Sequence, residues 1–234
     1  MLRQFESEVL EIKNLNSSVV IPKLSIPKDF KFKPGQYVLT STLDPKKRKI
    51  SRSYSISSHP KNNYIELCVK RVEEGLVSNF ICDLKKGDKI KVMGPIGRFI
   101  FDERSKDKNV VFISNSTGIG PFIPMIHDLL EGRSKQKIFL ISGYRNEEDT
   151  LYNKELQDFK KKFKNFEFHT ILSKPKSKDS KNKGYVQDFL EKLNLIGKEN
   201  HFYICGLSDM VDGVFNELIK NNIPKNQIFF EKYD

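Results

Sequence analysis

The sequence predicts a two-domain protein: an antiparallel β-barrel over residues 1–103, then an α/β domain with a doubly wound parallel sheet over residues 104–234. Three observations predict it. The first half consists of short runs rich in Val, Ile, Tyr and Ser, divided by turn signals. The second half alternates compact apolar runs with helical patterns. A charged run, DERSKDKN at 102–109, lies where one rhythm gives way to the other.

In the first half FESEVLEI, SSVVIPKLSI, GQYVLTSTL, SRSYSISS, YIELCVKRV and DKIKVMG read as strands. Lys33-Pro34-Gly35, the run from His59 to Asn63, and Lys86-Gly87-Asp88 supply turns between them. Short strands at this regular spacing suggest a small closed barrel. Leu76, Phe80, Ile81 and Leu84 have helical spacing after Gly75 and predict a single short helix inserted between strands. In the second half NVVFIS, QKIFLISG, FEFHTIL, HFYICG and QIFFE suit strands buried on both faces. Helical patterns run over Pro121–Leu130, Leu151–Phe163, Tyr185–Leu193 and Asp209–Lys220. Right-handed crossovers would gather the ligand-binding loops at the carboxyl ends of these strands. The polar loop at 174–183 is expected to be mobile.

Composition narrows the function. With 18 Phe and 8 Tyr to fill cores, disorder is not the expected state. No stretch reaches the roughly 18 apolar residues a membrane helix needs, and MLRQFESEVLEIK has no apolar signal core. A soluble, cytoplasmic protein without membrane attachment is expected, acting as a monomer. Cys68, Cys82 and Cys205 form no CxxC or CxxxxC pair, which excludes a four-thiolate iron–sulfur cluster held by this chain alone. His59, His127, His169 and His201 lack the i, i+4 spacing of a helical zinc site, so no metal centre is expected. The net charge of +11 favours acidic partners, although a general preference for lysine would produce the same balance. Nucleic acid is not the expected partner, because no helix-turn-helix, zinc-finger or aromatic RNA-binding signature is present.

Five segments could carry chemistry. Ser114-Asn115-Ser116-Thr117-Gly118-Ile119-Gly120-Pro121 follows a buried strand and opens a helix, so its free amides could receive a pyrophosphate; a glycine turn that merely caps the helix reads the same. Arg52-Ser53-Tyr54-Ser55 sets a cation, an aromatic face and a hydroxyl on one strand, able to hold a charged planar ligand or to form an ordinary β-surface. Alternation puts Arg52 and Tyr54 on one side of that strand and Ser55 on the other. Gly75-Leu76-Val77-Ser78 opens the barrel helix as a second phosphate site, or Ser78 simply caps it. Cys205-Gly206 ends the fourth sheet strand with Met210 on the next helix, where a buried cysteine can equally be a small hydrophobe. Glu231 follows apolar strand residues near the chain end, where a solvated acid is also common.

Together and in this order the segments resemble the ferredoxin–NADP reductase superfamily of flavoenzymes, from Phe32-Lys33-Pro34-Gly35-Gln36-Tyr37 to Glu231. Arg52, Tyr54 and Ser55 match the family's Arg-x-Tyr-Ser flavin motif. The resemblance implies that Arg52 pairs with the FAD diphosphate, Tyr54 lies against the isoalloxazine ring and Ser55 bonds near N5, with Ser53 in the same strand. Val69-Lys70-Arg71 resembles the segment that meets the flavin's pyrimidine edge, and Gly75–Ser78 with Asn79 the diphosphate-binding helix start. Gly94-Pro95-Ile96-Gly97-Arg98-Phe99 is similar to the segment leading into the second domain.

Thr117-Gly118-Ile119-Gly120-Pro121 resembles the nicotinamide-cofactor motif, with Ser116 in place of its first glycine; Gly143-Tyr144-Arg145 resembles the segment contacting adenosine. Cys205-Gly206-Leu207-Ser208-Asp209-Met210 is similar to Cys-Gly-Pro-x-x-Met, with Leu207 where proline is usual. By that match Cys205 guides the nicotinamide, Ser55 supports charge at N5, and Glu231 serves as a proton or charge partner, with Tyr233 as the terminal aromatic.

The implied activity is an NAD(P)H-dependent FAD oxidoreductase. Arg145, Ser173, Lys174 and Lys176 could surround a 2′-phosphate, which favours NADPH while leaving NADH possible. The positive surface suits a ferredoxin or flavodoxin as acceptor. A free-flavin reductase, or an electron-transfer subunit of a larger redox complex, has the same modular plan.

Overall fold

Seven strands, one more than the sequence suggests, form the sheet of the first unit. They are β1 (Arg3–Asn14), β2 (Val19–Ser25), β3 (Tyr37–Leu43), β4 (Lys49–Ser55), β5 (Tyr64–Glu66), β6 (Val69–Lys70) and β7 (Lys89–Ile96). The extra strand arises because YIELCVKRV is divided into β5 and β6. Both pair with β2 in one register, Lys23 opposite Glu66 and Val20 opposite Val69. The gap falls opposite Pro22, which accepts from the Leu67 N–H at 3.3 Å but has no N–H to return.

The strands run in the order β4-β3-β7-β1-β2-β5. Just beyond β4 and β5, Ile56 bridges Leu67 and the Ser57 N–H donates to Glu66 O at 2.8 Å, which closes the antiparallel ring. Val9, Leu24, Val38, Ile56, Ile65, Leu67, Val69 and Val92 fill it. The predicted single helix is α1 (Leu76–Asp83), which contributes Val77 and Ile81 to this core.

The second unit holds a parallel sheet of five strands: β8 (Asn109–Asn115), β9 (Ile138–Tyr144), β10 (Phe166–Leu172), β11 (Asn200–Leu207) and β12 (Ile228–Tyr233). Their order is β10-β9-β8-β11-β12, so the connection reverses direction between β8 and β11. That is the doubly wound arrangement, with its switch point at the adjoining ends of those two strands. The helices interspersed with these strands along the chain are α2 (Phe122–Glu131), most of which belongs by compactness to the first unit, α3 (Asn153–Lys162), α4 (Val186–Lys192) and α5 (Ser208–Lys220). α2 begins after Pro121 rather than on it and carries Pro124 in its first turn, where a missing N–H costs nothing. Helices α4 and α5 pack against Val111, Ile113, Ile141 and Ile171, while Phe159 of α3 meets Phe166 edge-on.

The segment entering this sheet is anchored by polar and aromatic contacts. The Ser105 hydroxyl lies 2.8 Å from His201 Nδ1 and 2.7 Å from the Tyr203 hydroxyl, and the Asp102 N–H donates to the latter oxygen at 2.9 Å. Phe101 and Phe229 stack on Tyr203.

The computed structural model describes residues 2–132, 135–177, 180 and 182–233. The loop expected to be mobile is covered at 174–177, 180, 182 and 183; the rest of it lies outside the described residues. By compactness the first unit comprises the residues up to Ile100 with Gly120–Asp128, and the second comprises Phe101–Ile119 with the residues from Leu129 onward. Within the first, His59 and His127 bring their rings to 4.6 Å although the sequence separates them widely, and His59 Nε2 lies 3.3 Å from Asp128. Among the described residues no helix is long and apolar enough to cross a membrane.

Candidate functional site

Each unit carries its own cluster of the predicted site residues. In the barrel, β4 pairs with β3 so that Arg52 faces Thr40 and Tyr54 faces Val38. Arg52 and Tyr54 therefore share one face of the sheet with the buried Thr40 and Val38, and Ser55, opposite Tyr37, lies on the other. Arg52 and Ser53 are exposed, Tyr54 is half-buried and Ser55 is buried. The Arg52 guanidinium gives one donor to Ser51 O at 2.9 Å and has no ion pair among the described residues, leaving most of its fork available. Burial pushes the Tyr54 phenol up to about 12, with Cys82 adding to the rise and Arg52 opposing it. Tyr54 is therefore a protonated phenol throughout the ordinary pH range.

Helix α1 packs on β3, on the Arg52 strand β4 and on β6, the strand of Val69-Lys70. Val69 is fully buried and Lys70 exposed. Gly75, not Ser78, is the N-cap; no side chain caps the helix and its first turn carries no acid. The Ser78 hydroxyl turns back to Gly75 O at 3.1 Å. The amides of Leu76, Val77 and Ser78 thus open the helix without a side-chain partner at their end. An uncapped helix start, an unpaired guanidinium and a half-buried phenol on elements packed together form a donor set that fits an anionic diphosphate carrying a planar ring, as in FAD. Arg71, next to the Val69-Lys70 strand, is instead bound to Asp83 at 2.6 Å.

In the sheet unit the predicted turn and Cys205-Gly206 meet at the switch point. β8 runs into a 3-10 turn over Ser116–Ile119. A Cβ on Gly118 would lie 2.2 Å from the Cys205 carbonyl oxygen and 2.8 Å from the Gly206 Cα, so only glycine lets the turn sit against β11. Ser116 has φ 48°, a left-handed conformation that glycine adopts without cost. Thr117 is half-buried, while Gly118, Ile119 and Gly120 are buried. A Cβ on Gly206 would lie 3.0 Å from the Met210 methyl, which places Met210 against this bend.

Asn115 is a functional residue that the sequence reading left without a role. Its Oδ1 accepts the Leu207 N–H at 3.0 Å and would be struck by a Cβ on Gly206 at 1.9 Å, so it ties β8 to the β11 bend. Below it Ser114 and Ser142 join hydroxyls at 2.8 Å. Asn115 stands inside the quoted turn; only the parallel pairing of β8 with β11 shows what its carboxamide reaches.

Cys205 is fully buried, opposite Glu231 in the β11–β12 register. Burial pushes its thiol up, the Glu231 charge pushes it further, and a hydrogen bond with Tyr233 opposes both. Cys205 is therefore a neutral thiol and not a nucleophilic thiolate. Arg145 and Lys174 are exposed and brought together by backbone bonds, Ser173 N–H to Tyr144 O at 2.9 Å and Lys174 N–H to Arg145 O at 2.7 Å. Lys176 does not join them as an open cation: its ammonium is paired with Glu148.

Comparison with known proteins agrees with this division. The family model described as an oxidoreductase FAD-binding domain matches residues 6–101, and that described as an oxidoreductase NAD-binding domain matches 112–215. The chain is 30% identical over 243 residues to ferredoxin–NADP reductase B of Sorangium cellulosum, covering 98% of this chain and 98% of that protein. It is 26% identical over 232 residues to the toluate 1,2-dioxygenase electron transfer component of Pseudomonas putida, covering 98% of this chain and 67% of the relative. Among solved structures it is similar to a ferredoxin–NADP+ reductase from Plasmodium falciparum with 2′P-AMP, with a TM-score of 0.83, 27% identity and coverage of 99% of this chain and 97% of the other. The chain spans about two thirds of the length of the first curated relatives it matches.

Proposed function

Because the chain belongs to the ferredoxin–NADP reductase superfamily of FAD- and NAD(P)-binding oxidoreductases, we propose that it takes hydride from NAD(P)H, with NADPH favoured, and passes electrons to a small acidic carrier of the ferredoxin or flavodoxin type. The observation that carries this reading is the close approach of Gly118 to the Cys205 carbonyl, which seats the Thr117–Gly120 turn at the sheet's switch point. Bound FAD supplies two-electron acceptance and stepwise release. Arg52 and the amides opening α1 bind its diphosphate, with Gly75 as the cap. Tyr54 offers a ring face and a protonated hydroxyl, Ser53 and Val69-Lys70 line the same region, and the buried Ser55 donates from the opposite face of β4.

In the sheet unit Thr117–Gly120 receives the dinucleotide phosphates, Gly206 and Met210 shape the bend, and Arg145, Ser173 and Lys174 face the adenosine end. Cys205 positions the nicotinamide as a neutral group. Glu231, adjacent in the register, holds charge or a proton beside it. The net charge of +11 supports an acidic carrier. The test is the absorption spectrum: the purified protein is yellow and bleaches anaerobically with NADPH, and a colourless protein that ignores added FAD would defeat the reading.

A second reading is favoured by one finding, the match to the longer toluate 1,2-dioxygenase electron transfer component. Under it the chain is the flavin- and nicotinamide-binding part of a larger redox assembly. Poor turnover in isolation, together with co-purification of a larger redox protein, distinguishes it from a free-standing reductase.

A further inference from the structure

The loops that follow β9 and β10 are laced together beyond their strands. The two backbone bonds at Ser173 and Lys174 continue the parallel ladder, and the chain then turns back through a carboxylate clasp. Glu147 accepts the Lys176 N–H on Oε2 at 3.0 Å and the Ser177 N–H on Oε1 at 3.4 Å. These backbone donors hold the Glu147 carboxyl below its ordinary range. Asn146 and Asp149 brace the near side, Asp149 accepting the Asn146 N–H at 3.2 Å and Asn146 the Glu148 N–H at 2.9 Å. That fixes the Glu148 backbone while its carboxylate meets the Lys176 ammonium. Arg145, Lys174 and Lys176 are thus matched by Glu147, Glu148 and Asp149, so the frame has no net charge. Arg145 and Lys174 have no ion pair among the described residues, whereas Lys176 is neutralised.

We propose that Glu148 tempers nucleotide specificity: by neutralising Lys176 it limits the attraction of this frame for a 2′-phosphate, leaving the main discrimination to Arg145 and Lys174. The inference rests on the nucleotide placement proposed above. An exposed ion pair contributes little, so the expected effect is moderate. Titration calorimetry of the full chain with 2′,5′-ADP and with 5′-AMP tests it. Glu148→Gln is expected to tighten 2′,5′-ADP about threefold and to leave 5′-AMP unchanged. Lys176→Ala alone should change neither appreciably, and adding it to Glu148→Gln should cancel the gain.

An unmoved ratio of the two affinities in Glu148→Gln, or a gain that survives in the double variant, overturns the proposal. So does a loss in Lys176→Ala alone as large as the gain in Glu148→Gln, and so does a wild-type protein that binds neither nucleotide. Failure of the wider reading shows separately, as a protein that reduces ferricyanide with neither NADPH nor NADH.

Discussion

The two clusters are built in opposite ways. The barrel presents its donors outward, on an exposed guanidinium and an uncapped helix start, with a core behind them that does not depend on either. The sheet unit builds its cluster by close approach at two glycines, Gly118 against the Cys205 main chain and Gly206 against the Asn115 carboxamide. Binding and folding are therefore separable in the first and fused in the second. A substitution in the barrel cluster should cost ligand, whereas one in the sheet cluster should cost the fold as well.

The largest expected effect is at Gly118. Gly118→Ala places a methyl 2.2 Å from a backbone oxygen that cannot rotate away, so denaturant melts should show a loss of about 3 kcal/mol, and nicotinamide binding should fall with it. Gly75→Ala is its counterpart. There the nearest atom is the Ser78 hydroxyl at 2.4 Å, the end of a side chain that can turn, and a loss below about 1 kcal/mol is expected. Equal losses at the two glycines would erase the contrast.

Arg52→Ala comes next: flavin retention through gel filtration should drop about tenfold, with the melting curve unchanged, because a charge-assisted contact contributes about 1.5–3 kcal/mol. A coincident loss of stability would place Arg52 in the barrel's structure instead.

Acid sharpens the same comparison. Burial lowers the His201 imidazole below its ordinary value of about 6.5, so the unfolded chain takes up protons before the native sheet unit does. Its contribution is complete above about pH 6.5 and is lost as pH falls through the lowered folded value. In the barrel, Asp44 is lowered from 3.8 chiefly by its bond from the Arg48 backbone, and that contribution declines only below about pH 4. Unit-resolved hydrogen exchange should show the sheet unit loosening first, with the difference removed by His201→Phe. The smallest effect is at Ser116, where glycine relieves the left-handed serine but loosens the unfolded chain; a net gain of about 0.5 kcal/mol in Ser116→Gly melts is expected.

Local chemistry made much of this legible before any coordinates. The strand runs, the inserted helix after Gly75 and the glycine turn before α2 each follow from neighbours along the chain. What escaped depends on partners distant in sequence. Pro22 interrupts YIELCVKRV from another strand, so no property of that run reveals the break. Asn115 acquires its partner only when β8 lies beside β11. Lys176 carries the charge expected of a phosphate ligand, yet Glu148, 28 residues away, already occupies it.

The closure of the barrel has one more consequence. Most neighbouring strands in the ring share a full ladder, but β4 and β5 are joined just beyond β4 by the Ile56–Leu67 bridge, the Ser57 bond to Glu66 and the Ser58 hydroxyl, which accepts the Glu66 N–H at 3.0 Å. The seam therefore parts at the loss of very few hydrogen bonds, while detaching β1 from β2 would mean unzipping a long one. The strand beside that seam is the one bearing Arg52, Tyr54 and Ser55. Loosening there would let that strand breathe while the rest of the cylinder stays shut, and under the proposed function a seated flavin would act as its latch.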